Sequence, residues 1–232
     1  MSRSKKMPRS RRRGEDAAEL PSKPSKPTKS RPQKLRIIGG SMRGRTVVYH
    51  GGTFTRPMRD SVRENLFNLV GMAVRGAVAI DLFAGTGALS FESLSRGASR
   101  AIAIEKSRHA AGFLKSTAET LGVTNQLTVL NGDAFRLGAG VLGPASPNAP
   151  LDDTPRLVLL CPPYAMWDSM NEQLRVLIRL AMEHSPPGSL IVAETDKHFD
   201  ESRLPPGDWD HRVYGGTRLS LIEPLIQCGL RS

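Results

Sequence analysis

Cysteine is almost missing from this sequence: two residues in 232, Cys161 and Cys228. Two cysteines with five scattered histidines build neither a disulfide framework nor a zinc site, so no metal is expected and a reducing compartment is. Aromatic residues are scarce as well, at 5%. No apolar run approaches the ~20 residues that a membrane helix needs, and the basic N-terminus is followed by no apolar segment of the kind a secretory signal carries. These absences point to an intracellular, cytoplasmic protein with no membrane contact. Acidic residues are the minority charge, 22 against 33 Lys+Arg. The imbalance is local, since residues 1–34 hold twelve of the basic residues and three of the acidic ones. The pI near 10.3 therefore describes a basic tail on a nearly neutral body, and such a tail favours a polyanionic partner.

Residues 1–34 are rich in Ser, Pro, Lys and Arg and hold almost nothing that could be buried, so they are expected to be disordered. A second unit, 35–70, is expected to be a β-hairpin followed by a helix. Leu35–Gly40 and Thr46–Tyr49 read as two short strands around a glycine-containing turn. Val62, Leu66, Leu69 and Val70 share one helical stripe, with Asp60 or Ser61 as N-cap. Six arginines decorate this unit: Arg36, Arg43, Arg45, Arg56, Arg59 and Arg63. Guanidinium suits bidentate phosphate contact, and the cluster is assigned to RNA.

The remainder, 71–232, alternates apolar runs with helical patterns, which predicts an open, doubly wound α/β sheet of Rossmann-like type. Its organising stretch is Val78–Glu92. There a short apolar strand runs into Asp81, a turn containing Gly85 and Gly87 follows, and a helix begins. Glycine at both positions lets a ligand approach the backbone. A dinucleotide site wants a third glycine where Ser90 stands. A carboxylate at Asp81 would repel a pyrophosphate yet pair with the amino group of a methionine moiety, which selects S-adenosyl-L-methionine over NAD. Glu105 ends the second strand, where the acid of such folds meets ribose hydroxyls. Asp133 and the Ala134 N–H are placed for an adenine ring. Residues Gly138–Thr154 lack periodicity and are read as a flexible loop. Cys161-Pro162-Pro163-Tyr164 follows a buried strand at the edge of the sheet where ligands bind, and Tyr164 and Trp167 offer flat faces to a base. A hairpin through Gly215-Gly216 closes the sheet antiparallel.

Taken together, residues 35–222 resemble the bacterial 16S ribosomal RNA (guanine-N2)-methyltransferases. The likeness rests on Arg36–Gly40 with Arg43-Gly44-Arg45, on Arg56-Pro57 with Asp60 and Val62–Asn68, on Asp81–Gly87, on Glu105, on Pro162-Pro163-Tyr164 and on Tyr214–Thr217. The resemblance implies a class I methyltransferase with a mostly parallel seven-stranded sheet, acting as a monomer on small-subunit RNA or the assembling 30S particle. It implies S-adenosyl-L-methionine bound by Asp81, Phe83, Gly85, Gly87, Glu105, Asp133 and Ala134. Catalysis would fall to Pro162, Pro163 and Tyr164 around an acceptor that the family supplies as Asp or Asn before Pro-Pro. This chain has Cys161 there. A thiol is a weak acceptor, and losing one such contact costs roughly 2–4 kcal/mol in the transition state. Two alternatives follow: a catalytically weak ribosome-assembly factor, or a DNA adenine-N6 methyltransferase, which shares the Pro-Pro-aromatic logic.

Overall fold

The computed structural model describes residues 32–50, 57–143 and 153–224. Strands β1 (Pro32–Arg36) and β2 (Thr46–His50) form an antiparallel hairpin. It starts three residues earlier than the expected Leu35, so 32–34 belong to the hairpin and only 1–31 of the tail lie outside the described residues. Helix α1 (Asp60–Val70) follows. Arg59 occupies its N-cap without a side-chain bond, so neither Asp60 nor Ser61 caps it, and Asp60 is instead its first residue.

The chain then alternates. Strand β3 (Val78–Asp81) leads to α2 (Ala88–Ser95), β4 (Arg100–Glu105) to α3 (Arg108–Leu121), and β5 (Leu127–Asn131) to α4 (Ala134–Leu142). After β6 (Arg156–Leu160) come a short α5 (Ala165–Ser169), α6 (Asn171–His184), β7 (Leu190–Asp196), β8 (Asp210–Tyr214) and β9 (Thr217–Ile222). The seven-stranded sheet has the order β5-β4-β3-β6-β7-β9-β8, parallel except for the two pairs that involve β9. This is the doubly wound arrangement expected, with its switch between β3 and β6.

The alternation of strand side chains explains the two cores. Ala79, Ala101, Ala103, Leu157 and Leu159 face Leu66, Phe67, Phe91 and Leu114 on one side. Val78, Ile80, Ile102, Val158 and Leu160 face Leu142, Trp167, Leu174 and Ile178 on the other. The hairpin and α1 join the first of these cores through Ile37, Val47 and Val62.

The loop expectation over Gly138–Thr154 fails in its first residues, while 144–152 lie outside the described residues. Gly138–Leu142 belong to α4, whose buried residues Ala134, Gly138, Val141 and Leu142 recur at helical spacing. Gly138 is small because Leu177 of α6 lies where a β-carbon would go, 2.7 Å away. A side chain at 138 would force the end of Leu177 to move.

Candidate active site

The carboxyl ends of the parallel strands bring the predicted residues to one edge of the sheet, on both sides of the β3/β6 switch. Asp81 ends β3 and is 1% exposed. Its Oδ2 accepts a 2.8 Å bond from the Ser90 hydroxyl, while its Oδ1 is buried with no partner. Burial pushes its carboxyl up to about 6; the Ser90 bond opposes this and the Glu105 charge adds to it. A buried carboxylate oxygen without a donor is costly, and a ligand ammonium at that oxygen would relieve the cost. In the sequence Ser90 stands out only as a missing glycine. Its place in the first turn of α2, nine residues after Asp81, was the signal of a carboxylate-orienting hydroxyl.

The turn between β3 and α2 is held from below. Gly85 has φ +53°, and its N–H donates to Glu105 Oε2 at 2.8 Å. The other Glu105 oxygen accepts the Ser107 N–H at 2.6 Å. Glu105 thus joins the turn to the end of β4. Gly87 has φ +76°, and a β-carbon there would lie 2.0 Å from Leu114. Packing against α3 and the left-handed backbone both favour glycine here, beside any approach of a ligand. Phe83 is half-buried, edge-on to Phe135 with ring centroids 5.8 Å apart.

Asp133 caps α4 by accepting the Phe135 N–H at 2.9 Å, and its Oδ2 pairs with Lys106 at 3.0 Å. Burial raises its pKa, but the Lys106 and Phe135 bonds outweigh that and hold it below the usual carboxylate range. Ala134 begins α4, so its N–H lies in the first turn, where helix donors point outward. A shallow cavity of about 190 Å³ opens here, lined by Asn131, Gly132, Asp133, Arg136 and Leu137.

Across the switch, Cys161 directly follows β6 as a partly buried free thiol. The register pairing Leu160 with Ala193 sets Cys161 alongside Glu194 of β7, with the thiol close to that carboxylate. Burial, then the Glu194 and Asp81 charges, push the thiol well above its ordinary range, so it stays protonated. Pro162 is buried and Pro163 exposed. The Pro163 carbonyl accepts the Met166 N–H at 2.8 Å and starts α5, a helix that sequence reading missed. Tyr164 is 37% exposed. Its hydroxyl donates to Glu194 Oε1 at 3.0 Å and lies 2.8 Å from Thr217 Oγ1. Trp167 corrects an expectation: it is 2% exposed, donates Nε1–H to the Glu194 carbonyl and packs on Phe199, so its face is core and not open to a base. Glu194 carries no signal in the sequence, and Thr217 enters there only as the last residue of the Tyr214–Thr217 block.

The arginine cluster divides. Arg63 is 1% exposed, paired with Asp60 and with buried Glu92, and bonded to the Arg36 carbonyl. It cannot reach an external phosphate, which corrects that assignment. Arg45 is committed to the carbonyls of Thr120 and Leu121 at the end of α3. Arg43 and Arg59 are exposed, and Arg36 is exposed while touching Asp60 at 3.3 Å. Arg56 lies outside the described residues. Among the described residues, no group of His, Cys, Asp and Glu could hold a metal ion, and no helix is long and apolar enough to cross a membrane.

An acid and glycine turn on one side of a β3/β6 switch, Pro-Pro-aromatic on the other and an antiparallel β8/β9 end define the class of S-adenosyl-L-methionine-dependent methyltransferases. Solved structures share the fold. Escherichia coli yhhF superposes with a TM-score of 0.63 at 29% identity, covering 83% of this chain and 98% of that one. An RNA methyltransferase of Salinibacter ruber, in complex with S-adenosyl-L-homocysteine, gives 0.53 at 20% identity, covering 73% and 94%, a likeness of fold alone. The chain belongs to the family described as Conserved hypothetical protein 95, which matches residues 35–223. A Haemophilus influenzae relative named ribosomal RNA small subunit methyltransferase D is 32% identical over 179 residues, 76% of this chain and 85% of that one.

Proposed function

We propose that this protein is a cytoplasmic enzyme that transfers a methyl group from S-adenosyl-L-methionine to the exocyclic N2 amine of a guanine in small-subunit (16S) ribosomal RNA. The observation that carries the reading is the pairing, at one sheet edge, of a buried carboxylate with an unpartnered oxygen (Asp81) and a Pro-Pro-aromatic segment (Pro162, Pro163, Tyr164). The relative named for small-subunit RNA supports the substrate class.

The residues present fit the cofactor. Asp81 would take its ammonium, Glu105 its ribose hydroxyls, and Asp133 with the Ala134 N–H its adenine, while Phe83, Gly85 and Gly87 form the floor. When bound, the cofactor supplies an electrophilic methyl group. The chain's own task is to present a nitrogen lone pair that conjugation with the guanine ring makes weakly nucleophilic. Tyr164 stacks on the extruded base and fixes its plane. Cys161 accepts an N–H bond from the amine, which turns the lone pair outward from the ring. Arg36, Arg43 and Arg59 bind RNA phosphates, joined by Arg56 and the basic tail. The protein acts as a monomer on the RNA or on the assembling 30S particle.

The presence of Cys161, a weak acceptor, motivates a second reading, a ribosome-assembly factor that keeps both sites and turns over slowly. Cys161→Asn restores an amide acceptor and separates the two. A gain of about tenfold or more in turnover supports the assembly factor, and no gain supports the enzyme as it stands. Competition between small-subunit RNA and adenine-containing DNA duplexes tests the DNA alternative, and label in DNA adenine would replace the proposal.

A further inference from the structure

Glu194 lies in no part of the cofactor site, yet it joins three residues of the opposite pocket. It sits near the end of β7, half-buried, beside the last residue before Pro-Pro. Oε1 accepts the Tyr164 hydroxyl at 3.0 Å, and the register that pairs Leu160 with Ala193 sets the Cys161 thiol beside the same carboxylate, in reach to donate its proton to it. With its single proton given to Glu194, the Tyr164 oxygen is left to accept from the Thr217 hydroxyl, 2.8 Å away on β9. Three strands are thereby stitched together at the level of the target base. The Glu194 backbone carbonyl holds α5 as well, through Trp167 Nε1 at 2.8 Å. A carboxylate in this position is expensive: burial raises the Glu194 pKa, and among the described residues no Lys or Arg pairs with it. Structural stitching alone would be served by a neutral amide.

The direction of the thiol proton gives the carboxylate its use. A neutral thiol has one donor and two acceptor lone pairs. If the S–H pointed at the target amine, it would engage the lone pair that has to attack the methyl group. Anchoring the proton on a carboxylate turns sulfur lone pairs toward the pocket instead. We propose that Glu194 is the positioning residue of the methyl-accepting pocket, holding the Cys161 proton away from the target amine so that sulfur serves as acceptor, and fixing the Tyr164 ring through its hydroxyl. This rests on the functional reading above and adds to it how a cysteine can stand where an Asp or Asn is expected.

The test uses the full-length protein carrying Cys228→Ser, so that Cys161 is its one thiol, with Glu194→Gln, which preserves shape and removes charge. Two readouts are taken. Iodoacetamide alkylation of Cys161 at pH 8 speeds up by about three- to tenfold in the variant, because the carboxylate no longer raises the thiol. Steady-state methylation of small-subunit RNA loses about ten- to hundredfold in kcat, while the Kd for S-adenosyl-L-homocysteine stays within about twofold. Tyr164→Phe, which removes only the hydroxyl, raises the KM for RNA and leaves the alkylation rate close to that of the parent. An unchanged alkylation rate in Glu194→Gln overturns the inference, as does an unchanged kcat in an active parent. A parent protein that transfers no methyl group overturns the functional reading and this inference together.

Discussion

At the scale of single residues, Asp81 is under two opposed demands. Its carboxyl is 1% exposed and raised to about 6 from 3.8, so the folded protein prefers it protonated. A raised carboxyl is a liability at neutral pH. The destabilisation begins as pH rises above the unfolded value near 4, is complete above 6, and amounts to about 3 kcal/mol. Binding a ligand ammonium demands the ionised form. Asp81→Asn is therefore expected to raise the melting temperature of the unliganded protein at pH 8 by several degrees while weakening S-adenosyl-L-homocysteine about thirtyfold or more. Calorimetric titration beside thermal melts measures both. A variant that loses stability along with affinity would show that Asp81 is part of the scaffold only. In the wild type, affinity for the same ligand should climb between pH 5 and 7 as Asp81 ionises, and a flat profile would remove Asp81 from the site. Asp81, the glycine turn and Glu105 were legible in the sequence because strand, acid and glycine follow one another within a few residues. Ser90 and Glu194 were not, since each acts through a partner on another element that only the folded register supplies.

At the scale of elements, the least legible feature was the joint between the N-terminal unit and the sheet domain. Glu92 of α2 is fully buried, and its two oxygens accept the N–H groups of Ile38 and Gly39 at 2.8 Å each. Arg96 pairs with it at 2.8 Å and Arg63 at 3.7 Å. The hairpin turn, α1 and α2 thus meet at one carboxylate. Gly40 adds a steric requirement: φ is +75°, and a β-carbon would stand 1.8 Å from the Ser95 carbonyl. Removing one member of a buried ion group strands the others. Glu92→Ala should cost about 3–5 kcal/mol in denaturant titration, against less than 1 kcal/mol for exposed Glu64→Ala. Equal costs would mean that the two units are joined elsewhere. Arg63 reads as one of six arginines in sequence. Its phase along α1, adjacent to Val62 and within a turn of Leu66 and Phe67, marks it as inward-facing once the helix is in register. Helix α4 was hidden by its glycines, and α5 by its five-residue length after two prolines.

For the whole molecule, charge and topology divide the work. The parallel sheet puts the acids Asp81, Glu105 and Asp133 on one edge, while exposed Arg36, Arg43 and Arg59 lie on the N-terminal unit. If those arginines meet phosphates, reversing Arg43 and Arg59 to Glu should weaken binding to small-subunit RNA and lower the slope of log K against log salt by about 1.5–2. An unchanged slope would take them out of the interface. Arg63→Glu should instead lower folding stability. The most direct measurement is transfer of labelled methyl from S-adenosyl-L-methionine to small-subunit RNA, free and in assembling particles, followed by nuclease digestion and identification of the labelled nucleoside. The account predicts label in N2-methylguanosine, lost when Asp81 is replaced by Asn. Label in another nucleoside, or cofactor binding with no transfer to either substrate, would contradict it.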